Sequence, residues 1–108
     1  RSLVNVEYQE GLKLIGERSF SDCQRLQKQK FPSTLVEIGQ YAFMGCHELE
    51  IVGSFPSTLK LIGQYAFYWC ERLHSIEIRN NTCTLQNVFG WCDNLTHARL
   101  PQGMVAIP

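Results

Sequence analysis

The side chains with the greatest chemical potential in this 108-residue chain are five cysteines and three histidines. Four of the cysteines, Cys23, Cys46, Cys70 and Cys92, recur at intervals of 23, 24 and 22 residues. Thiolates bind zinc, but zinc thiolate sites usually use close Cys-x₂₋₄-Cys pairs whose sulfurs converge on one ion. The odd number of cysteines also excludes a complete set of disulfides within the chain. The role of the recurring cysteines therefore depends on the elements that position them.

The remaining cysteine and the histidines share no pattern. Cys83 lies off the regular spacing and is the candidate reactive thiol, but no histidine is in register to activate it. His47, His74 and His97 occupy three different positions relative to the recurring cysteines, which predicts surface residues and no shared metal or acid–base site. The sequence has no phosphate-binding glycine loop, no aligned Ser/His/Asp set and no paired carboxylates. We therefore expect a protein that is not an enzyme and that holds no cofactor or metal.

The recurring cysteines belong to an internal repeat. A phenylalanine lies three residues before each of them and a leucine three residues after, which gives four copies of F-x-x-C-x-x-L. The phenylalanines are Phe20, Phe43, Phe67 and Phe89, and the leucines are Leu26, Leu49, Leu73 and Leu95. The stretch IGQYAF occurs at residues 38–43 and 62–67, and PSTL occurs at 32–35 and 56–59. A unit of about 23 residues is typical of leucine-rich solenoids, in which each coil holds a short strand and a return segment.

The repeat predicts how the coils pack. Because one coil cannot bury its own apolar face, stacked coils are expected to share three inward ladders. These are Leu3, Leu26, Leu49, Leu73 and Leu95; then Val6, Gln29, Val52, Ile76 and Ala98; then Tyr8, Phe31, Phe55, Ile78 and Leu100. The alternation of inward and outward residues predicts short strands that stack in parallel into one sheet on the concave face. The strands are expected to end at Pro32, Pro56 and Pro101, because proline cannot continue the hydrogen-bond ladder.

The segment between these strands is expected to turn. The glycine of IG, which is Gly39 or Gly63 in the repeated stretch, permits either a positive φ or a close backbone approach. The motif A-F-x-x-C predicts one helical or 3₁₀ turn that directs Phe and Cys inward. Neighbouring recurring cysteines then lie about one strand spacing apart, about 4.8 Å, so the outer two are about 14 Å apart. One shared metal ion is thereby excluded; a ladder of buried free thiols is predicted, with disulfides between neighbouring coils as the alternative.

The full pattern, F-x-x-C-x-x-L-x-x-I-x-L-P-x-x-L-x-x-I-G-x-x-A-F, resembles the Treponema pallidum-type, or BspA-like, leucine-rich repeat family over essentially the whole chain. The family shares the proline after the strand, where commoner leucine-rich repeats carry Asn. The resemblance implies an α/β-type repeat solenoid, a right-handed coil with a short parallel sheet on its concave face and 3₁₀, helical or irregular turns on the other side. It also implies a binding role, often as an adhesin, on a secreted or cell-surface protein; an intracellular or organellar assembly is the alternative.

The repeat also predicts the domain organisation. We expect a single array over residues 1–108 with about 4.5 rungs of about 23 residues, truncated or uncapped at both ends. The rungs are approximately 1–23, 24–46, 47–70, 71–92 and 93–108. One rung departs from the pattern, because Arg79 replaces the strand-closing proline and the glycine of IG is deleted, which predicts a local bulge. Asn80 in that rung is the better of two glycosylation sequons, because Leu95 beside Asn94 is expected to point inward.

Two surfaces are candidate contact sites for another protein. The strand face, on the solvent side of the predicted strands, contains Glu7, Lys28, Lys30, Ile51, Glu77, His97 and Arg99. Because Glu7 aligns with Lys30 and Glu77 with Arg99, this face equally fits a solvated surface with compensating charges. The aromatic ridge, on the outward side of the turn segment, contains Tyr41, Tyr65, Tyr68, Trp69 and Trp91. Exposed aromatic clusters commonly mark contact surfaces, and coverage by neighbouring loops is the alternative.

Composition narrows the function further. Lys plus Arg and Asp plus Glu are ten each, so no long-range field favours nucleic acid. The longest apolar runs are too short for membrane insertion. The sequence therefore predicts a non-catalytic protein–protein interaction solenoid that acts in binding or adhesion through the strand face and the aromatic ridge. The alternative is a structural or scaffold subunit of a larger assembly.

Overall fold

Eight short β-strands and the turns between them form the structure. A computed structural model describes residues 3–78, 84–85, 87–90, 92 and 94–99. The strands are β1 (Leu14–Ile15), β2 (Lys28–Gln29), β3 (Glu37–Ile38), β4 (Glu50–Ile51), β5 (Leu61–Ile62), β6 (Ser75–Glu77), β7 (Thr84–Leu85) and β8 (His97–Arg99). No helix occurs in the described residues. The expected stack of short parallel strands is confirmed, whereas the α/β designation is wrong for this part of the chain.

Strands β1, β3, β5 and β7 form a parallel four-stranded sheet in that order. The register places Ile15 beside Ile38 and Ile38 beside Ile62, so the isoleucines of the IG pairs make a buried row. The sequence pattern does not predict this sheet, because it assigns IG to a turn. A strand of two residues is too short to show the alternation that identifies strands in a sequence.

The strands that the sequence does predict occur as two separate parallel pairs. Strand β2 pairs with β4, and β6 pairs with β8. No ladder joins β4 to β6, both of which lie in the described part of the chain. Their coils are linked on either side of the break, where the N–H of Arg72 donates to the carbonyl of His47 (3.0 Å) and that of Phe55 to the carbonyl of Glu77 (2.9 Å). The prediction of one continuous sheet on this side is therefore wrong.

One additional residue accounts for this break. The strand segment is one residue longer in the third coil than in the second, and Gly53, with φ of 75°, accommodates the excess. The insertion shifts the register so that Gln29 pairs with Ile51. Val52 is consequently 44% exposed, and the prediction that it points inward is wrong. Ile51, predicted on the solvent side, is half-buried and packs against the core.

The turn segment is a run of β-turns tied to the next coil. In the second coil, alternate N–H groups donate to the carbonyl three residues earlier, namely those of Ala42, Met44 and Cys46. The N–H groups between them donate to carbonyls of the next coil, namely those of Tyr41, Phe43 and Gly45. Each backbone N–H from 41 to 46 therefore has a partner, and half of these bonds join coils. This pattern replaces the helical or 3₁₀ turn that the sequence predicts.

Two aromatic ladders fill the core. Phe20, Phe43, Phe67 and Phe89 stack in order, with ring centroids 5.3, 5.2 and 5.7 Å apart. Tyr8, Phe31 and Phe55 form the second ladder, with centroids 5.8 and 5.7 Å apart. The ladders meet edge to face, with Phe55 5.7 Å from Phe67. The predicted inward direction of these rings is confirmed, but Leu3, predicted to begin the leucine ladder, is 41% exposed because no described coil covers it.

A polar pair lies within this core. The Gln29 side chain is fully buried in the ladder position that the sequence predicts. Its Oε1 accepts a hydrogen bond from the Tyr8 hydroxyl, and its Nε2 donates to the carbonyl of Lys28 (3.1 Å). Burial raises the pKa of Tyr8, with a smaller contribution from Cys46. The phenol therefore stays protonated and keeps Gln29 satisfied, as a buried amide requires.

The glycines of IG allow the coils to approach closely. A Cβ atom on Gly39 would lie 2.7 Å from the backbone nitrogen of Glu17, and one on Gly63 would lie 2.6 Å from that of Gln40. Neither glycine has a positive φ. Of the two roles predicted for this glycine, close approach is therefore the one observed.

Candidate protein-binding surfaces

The aromatic ridge rests on backbone in the left-handed conformation. Two residues before each ladder phenylalanine, φ is 59° at Arg18, 59° at Tyr41, 60° at Tyr65 and 51° at Asn87. Two residues after, φ is 61° at Asp22, 74° at Gly45 and 65° at Trp69. Gly, Asn and Asp adopt this conformation readily, whereas for bulky residues it costs about 1–2 kcal/mol. Tyr41, Tyr65 and Trp69 therefore occupy positions that local backbone energetics disfavour.

The tyrosines of the ridge form a continuous ring cluster with an arginine at one end. The guanidinium of Arg18 lies 4.3 Å from the centroid of Tyr41. The rings of Tyr41 and Tyr65 are 5.4 Å apart and tilted by 33°, and Tyr68 meets Tyr65 edge to face at 5.0 Å. All three tyrosines are half-buried. The alignment of Tyr41 with Tyr65 matches the register predicted from the repeat, and the contact with Arg18 adds a cation–π interaction.

Trp69 is the most exposed aromatic side chain of the described ridge, at 42%. Its ring meets His47 at 5.0 Å and an angle of 68°. The equivalent residue in the preceding coil is Gly45, where a Cβ atom would collide with the carboxylate of Asp22. A large, partly solvated ring therefore stands at a position where the preceding coil has glycine.

His47 is not the surface residue that the sequence predicts. It is half-buried, and its Nε2 atom is buried with no hydrogen-bond partner in the described structure. The physical reason is that Trp69 of the next coil packs on it. His74 is exposed as predicted, with Nδ1 3.1 Å from the carbonyl of Arg72.

The recurring cysteines form a ladder of free, buried thiols, as predicted, and not the alternative disulfides. Each of three thiols donates to the carbonyl of the ladder phenylalanine one coil earlier: Cys46 to Phe20 (3.1 Å), Cys70 to Phe43 (3.3 Å) and Cys92 to Phe67 (3.0 Å). Burial raises the pKa of Cys46 to about 12, with a further contribution from Cys23. Because thiolate is the reactive form, these cysteines stay inert at neutral pH.

On the strand face, two adjoining cavities of about 220 and 190 Å³ lie over the break between β4 and β6. They meet at Lys28 and Glu50. The carboxylate of Glu50 is 3.6 Å from the guanidinium of Arg72, and the exposed Val52 lines the larger cavity. We call this depression the notch. The notch combines an apolar centre with charged side chains at its margin.

The predicted residues of the strand face fall into several groups. Lys28 and Ile51 come together in the notch. Glu7 and Lys30 are exposed, but no ion pair joins these two described residues. The register places Glu77 beside Arg99, as predicted. The calls on Arg79, Asn80, Cys83, Trp91, Leu100 and Pro101, and on the side chains of His97, Ala98 and Arg99, lie outside the described residues.

Sequence reasoning missed Glu50, Arg72 and Val52. The first two are residues of opposite charge, 22 positions and one coil apart, so the repeat spacing could have paired them. Val52 was missed because the register shift cannot be located from the pattern alone. Asn94, predicted to be poorly accessible, is exposed, and its Nδ2 donates to the carbonyl of Glu71 (2.7 Å).

Two further classes of site were sought in the same part of the chain. Among the described residues, no three His, Cys, Asp or Glu side chains converge to hold a metal ion. Within those residues there is also no helix with the length and apolarity needed to cross a membrane.

Short parallel strands stacked coil upon coil define a repeat protein of the leucine-rich class. The family described as the BspA type leucine rich repeat region (6 copies) matches residues 1–108, and the chain belongs to this family. The crystal structure of the leucine-rich repeat protein of T. pallidum is similar, with a TM-score of 0.53 and 22% identity over 92% of this chain and 70% of that chain. At this identity the likeness supports the fold alone. No curated protein matches the chain. Leucine-rich repeat domains generally bind proteins and are typically non-catalytic.

Proposed function

We propose that this chain binds another protein, in an adhesive or other non-catalytic role, through the aromatic ridge and the notch. The observation that carries the proposal is Trp69, which is 42% exposed on left-handed backbone. Such a residue adds little to folding, because its backbone is strained and much of its ring stays in water. Strained positions of this kind cluster at functional sites. A partner that covers the ring would account for its presence.

The chemistry of the ridge suits a protein interface. Tryptophan, tyrosine and arginine are the side chains that most often dominate binding energy in protein complexes. Trp69, Tyr68 and Arg18 combine large apolar areas with groups that donate hydrogen bonds. The mutual contacts of Arg18, Tyr41 and Tyr65 also reduce the side-chain entropy that binding would remove.

The notch supplies a second contact region. Val52 and Ile51 offer apolar area, and the charges of Lys28, Glu50 and Arg72 surround it. An apolar centre with a polar margin is the usual arrangement in protein interfaces. The exposed ion pair between Glu50 and Arg72 contributes little to folding, so both groups remain available to a partner.

The experiment is a quantitative pull-down from a protein extract of the source, with the immobilised chain and matched variants. We expect Trp69→Gly to lose specific partners, because it removes the ring and keeps a residue suited to the backbone. Lys28→Glu with Arg72→Glu should lose the same partners. The matched control is Lys13→Glu with Lys60→Glu, which makes the same charge change at exposed lysines outside both surfaces. If wild type and the two surface variants capture the same proteins equally, the proposal is wrong.

A further inference from the structure

We propose that a groove on the four-stranded sheet, remote in the repeat from the notch, binds an extended peptide segment that carries basic and apolar side chains. The groove has a volume of about 400 Å³ and crosses three coils. Its residues lie outside the strand face and the aromatic ridge, so the inference goes beyond the proposed function.

The floor of the groove is the row of glycines Gly16, Gly39 and Gly63. Two of them must be glycine, because a Cβ atom on Gly39 or Gly63 would lie 2.7 or 2.6 Å from the backbone of the preceding coil. A row without side chains between two rows with side chains leaves a channel across the coils. The groove is therefore a direct consequence of the close coil spacing.

One wall of the groove consists of the residues that follow the glycines, Glu17, Gln40 and Gln64. The amides of Gln40 and Gln64 are linked, with Nε2 of the first donating to Oε1 of the second (3.3 Å). Glu17 lies 3.7 Å from Arg18, but both side chains are more than half exposed. Such a pair contributes little, so the Glu17 carboxylate remains available to a ligand.

The other wall is the outward row of the sheet, where the register aligns Leu14 with Glu37 and Glu37 with Leu61. Leu14 is 52% exposed. The groove is thus lined by two carboxylates, two leucines and two amides, and no Lys, Arg or His is among its lining residues. This charge selects a cationic ligand, and the leucines select a ligand with apolar side chains beside the cation.

The dimensions favour an extended peptide. Coils in a parallel stack repeat at about 4.8 Å, so three coils span about 10 Å, the length of about three residues of extended chain. A basic side chain placed between Glu17 and Glu37 would leave the neighbouring side chains over Leu14 and Leu61. Glutamine amides can donate to and accept from the peptide backbone.

The test is an NMR titration of the ¹⁵N-labelled full chain with the peptide Ac-Leu-Lys-Leu-Lys-Leu-NH₂. We expect saturable shifts at the amide signals of Gly16, Gly39 and Gly63, and none with the analogue Ac-Leu-Glu-Leu-Glu-Leu-NH₂. The variant Glu17→Gln with Glu37→Gln should weaken binding about tenfold, because it removes two charge contacts. The matched control, Glu48→Gln with Glu71→Gln, removes the same charge outside the groove and should bind as the wild type does.

Several results would overturn the inference. They are the absence of saturable shifts at millimolar peptide, equal binding of the acidic analogue, equal weakening by the two double variants, or shifts confined to the notch. Groove signals that move with protein concentration in the absence of peptide would assign the groove to a second copy of the chain instead. Shifts confined to the notch would refute this groove while leaving the proposed function intact, so the two failures are distinguishable.

Discussion

The inner and outer sides of the turn segment both carry rows of aromatic rings, but the two rows differ in burial and backbone conformation. On the inner side, Phe43 and Phe67 are fully buried with centroids 5.2 Å apart. On the outer side, Tyr41 and Tyr65 are nearly as close, 5.4 Å, yet are half-buried on left-handed backbone. The coil spacing sets the ring separation in both rows. Periodicity therefore identifies a ladder, and only exposure and φ tell a core ladder from a surface one.

The largest expected difference between the two sides is in stability. Phe67→Ala should lower the free energy of unfolding by about 3–5 kcal/mol, because it removes a fully buried ring and leaves a cavity. Tyr65→Ala should lower it by about 1 kcal/mol, the value of its ring contacts. Urea denaturation of both variants measures the contrast. Equal losses would show that the outer row is part of the core.

The close coil approach beneath both rows can be tested at equivalent glycines. Gly63→Ala should destabilise the chain by about 1–3 kcal/mol, because the added Cβ atom meets backbone at 2.6 Å. Gly16→Ala is the matched control, since its nearest contact is the Ser19 hydroxyl at 3.3 Å, which can move. Thermal or urea denaturation compares them. A Gly16→Ala variant as unstable as Gly63→Ala would indicate that backbone freedom, and not coil spacing, requires the glycine.

The buried thiols of the inner side predict a loss of stability in alkali. Burial raises the pKa of Cys46 from 9.0 to about 12. Between pH 9 and 12 the unfolded thiol loses its proton and the folded one keeps it, so the free energy of unfolding falls as pH rises. One such thiol contributes up to about 1.4 kcal/mol per pH unit. In urea denaturation from pH 9 to 10.5, Cys46→Ala should reduce the slope against pH. An unchanged slope would contradict burial as the cause.

The smallest expected effect separates the ridge from the core most sharply. Trp69→Gly should change the free energy of unfolding by no more than about 0.5 kcal/mol, because relief of left-handed strain offsets the lost contact with His47. The control Trp69→Ala keeps the strain and should be the less stable of the two. Parallel urea denaturation curves give both values. A loss above 2 kcal/mol in Trp69→Gly would make Trp69 a folding residue and remove the argument for a binding role.

Much of the fold follows from the repeat. The spacing of Phe20, Phe43 and Phe67 predicts the stacked coils, the inward rings and the thiol ladder, because identical residues at one coil period must lie side by side. The sequence misses the sheet of β1, β3, β5 and β7, whose strands are too short to show alternation. It also misses the notch, since an added residue reveals that a register shift occurs but not where the excess is absorbed.

By itself, therefore, the sequence determined the family, the parallel stacking and the residues that form the core ladders. The tertiary structure alone decided which outward residues meet. It placed Trp69 on His47, Glu50 beside Arg72, and Glu17 and Glu37 along one glycine-floored groove. The physical reason is that burial rewards every coil alike and so leaves a periodic signal. Surface contacts instead depend on local φ, on a single inserted residue and on the distance between coils, and none of these has a period.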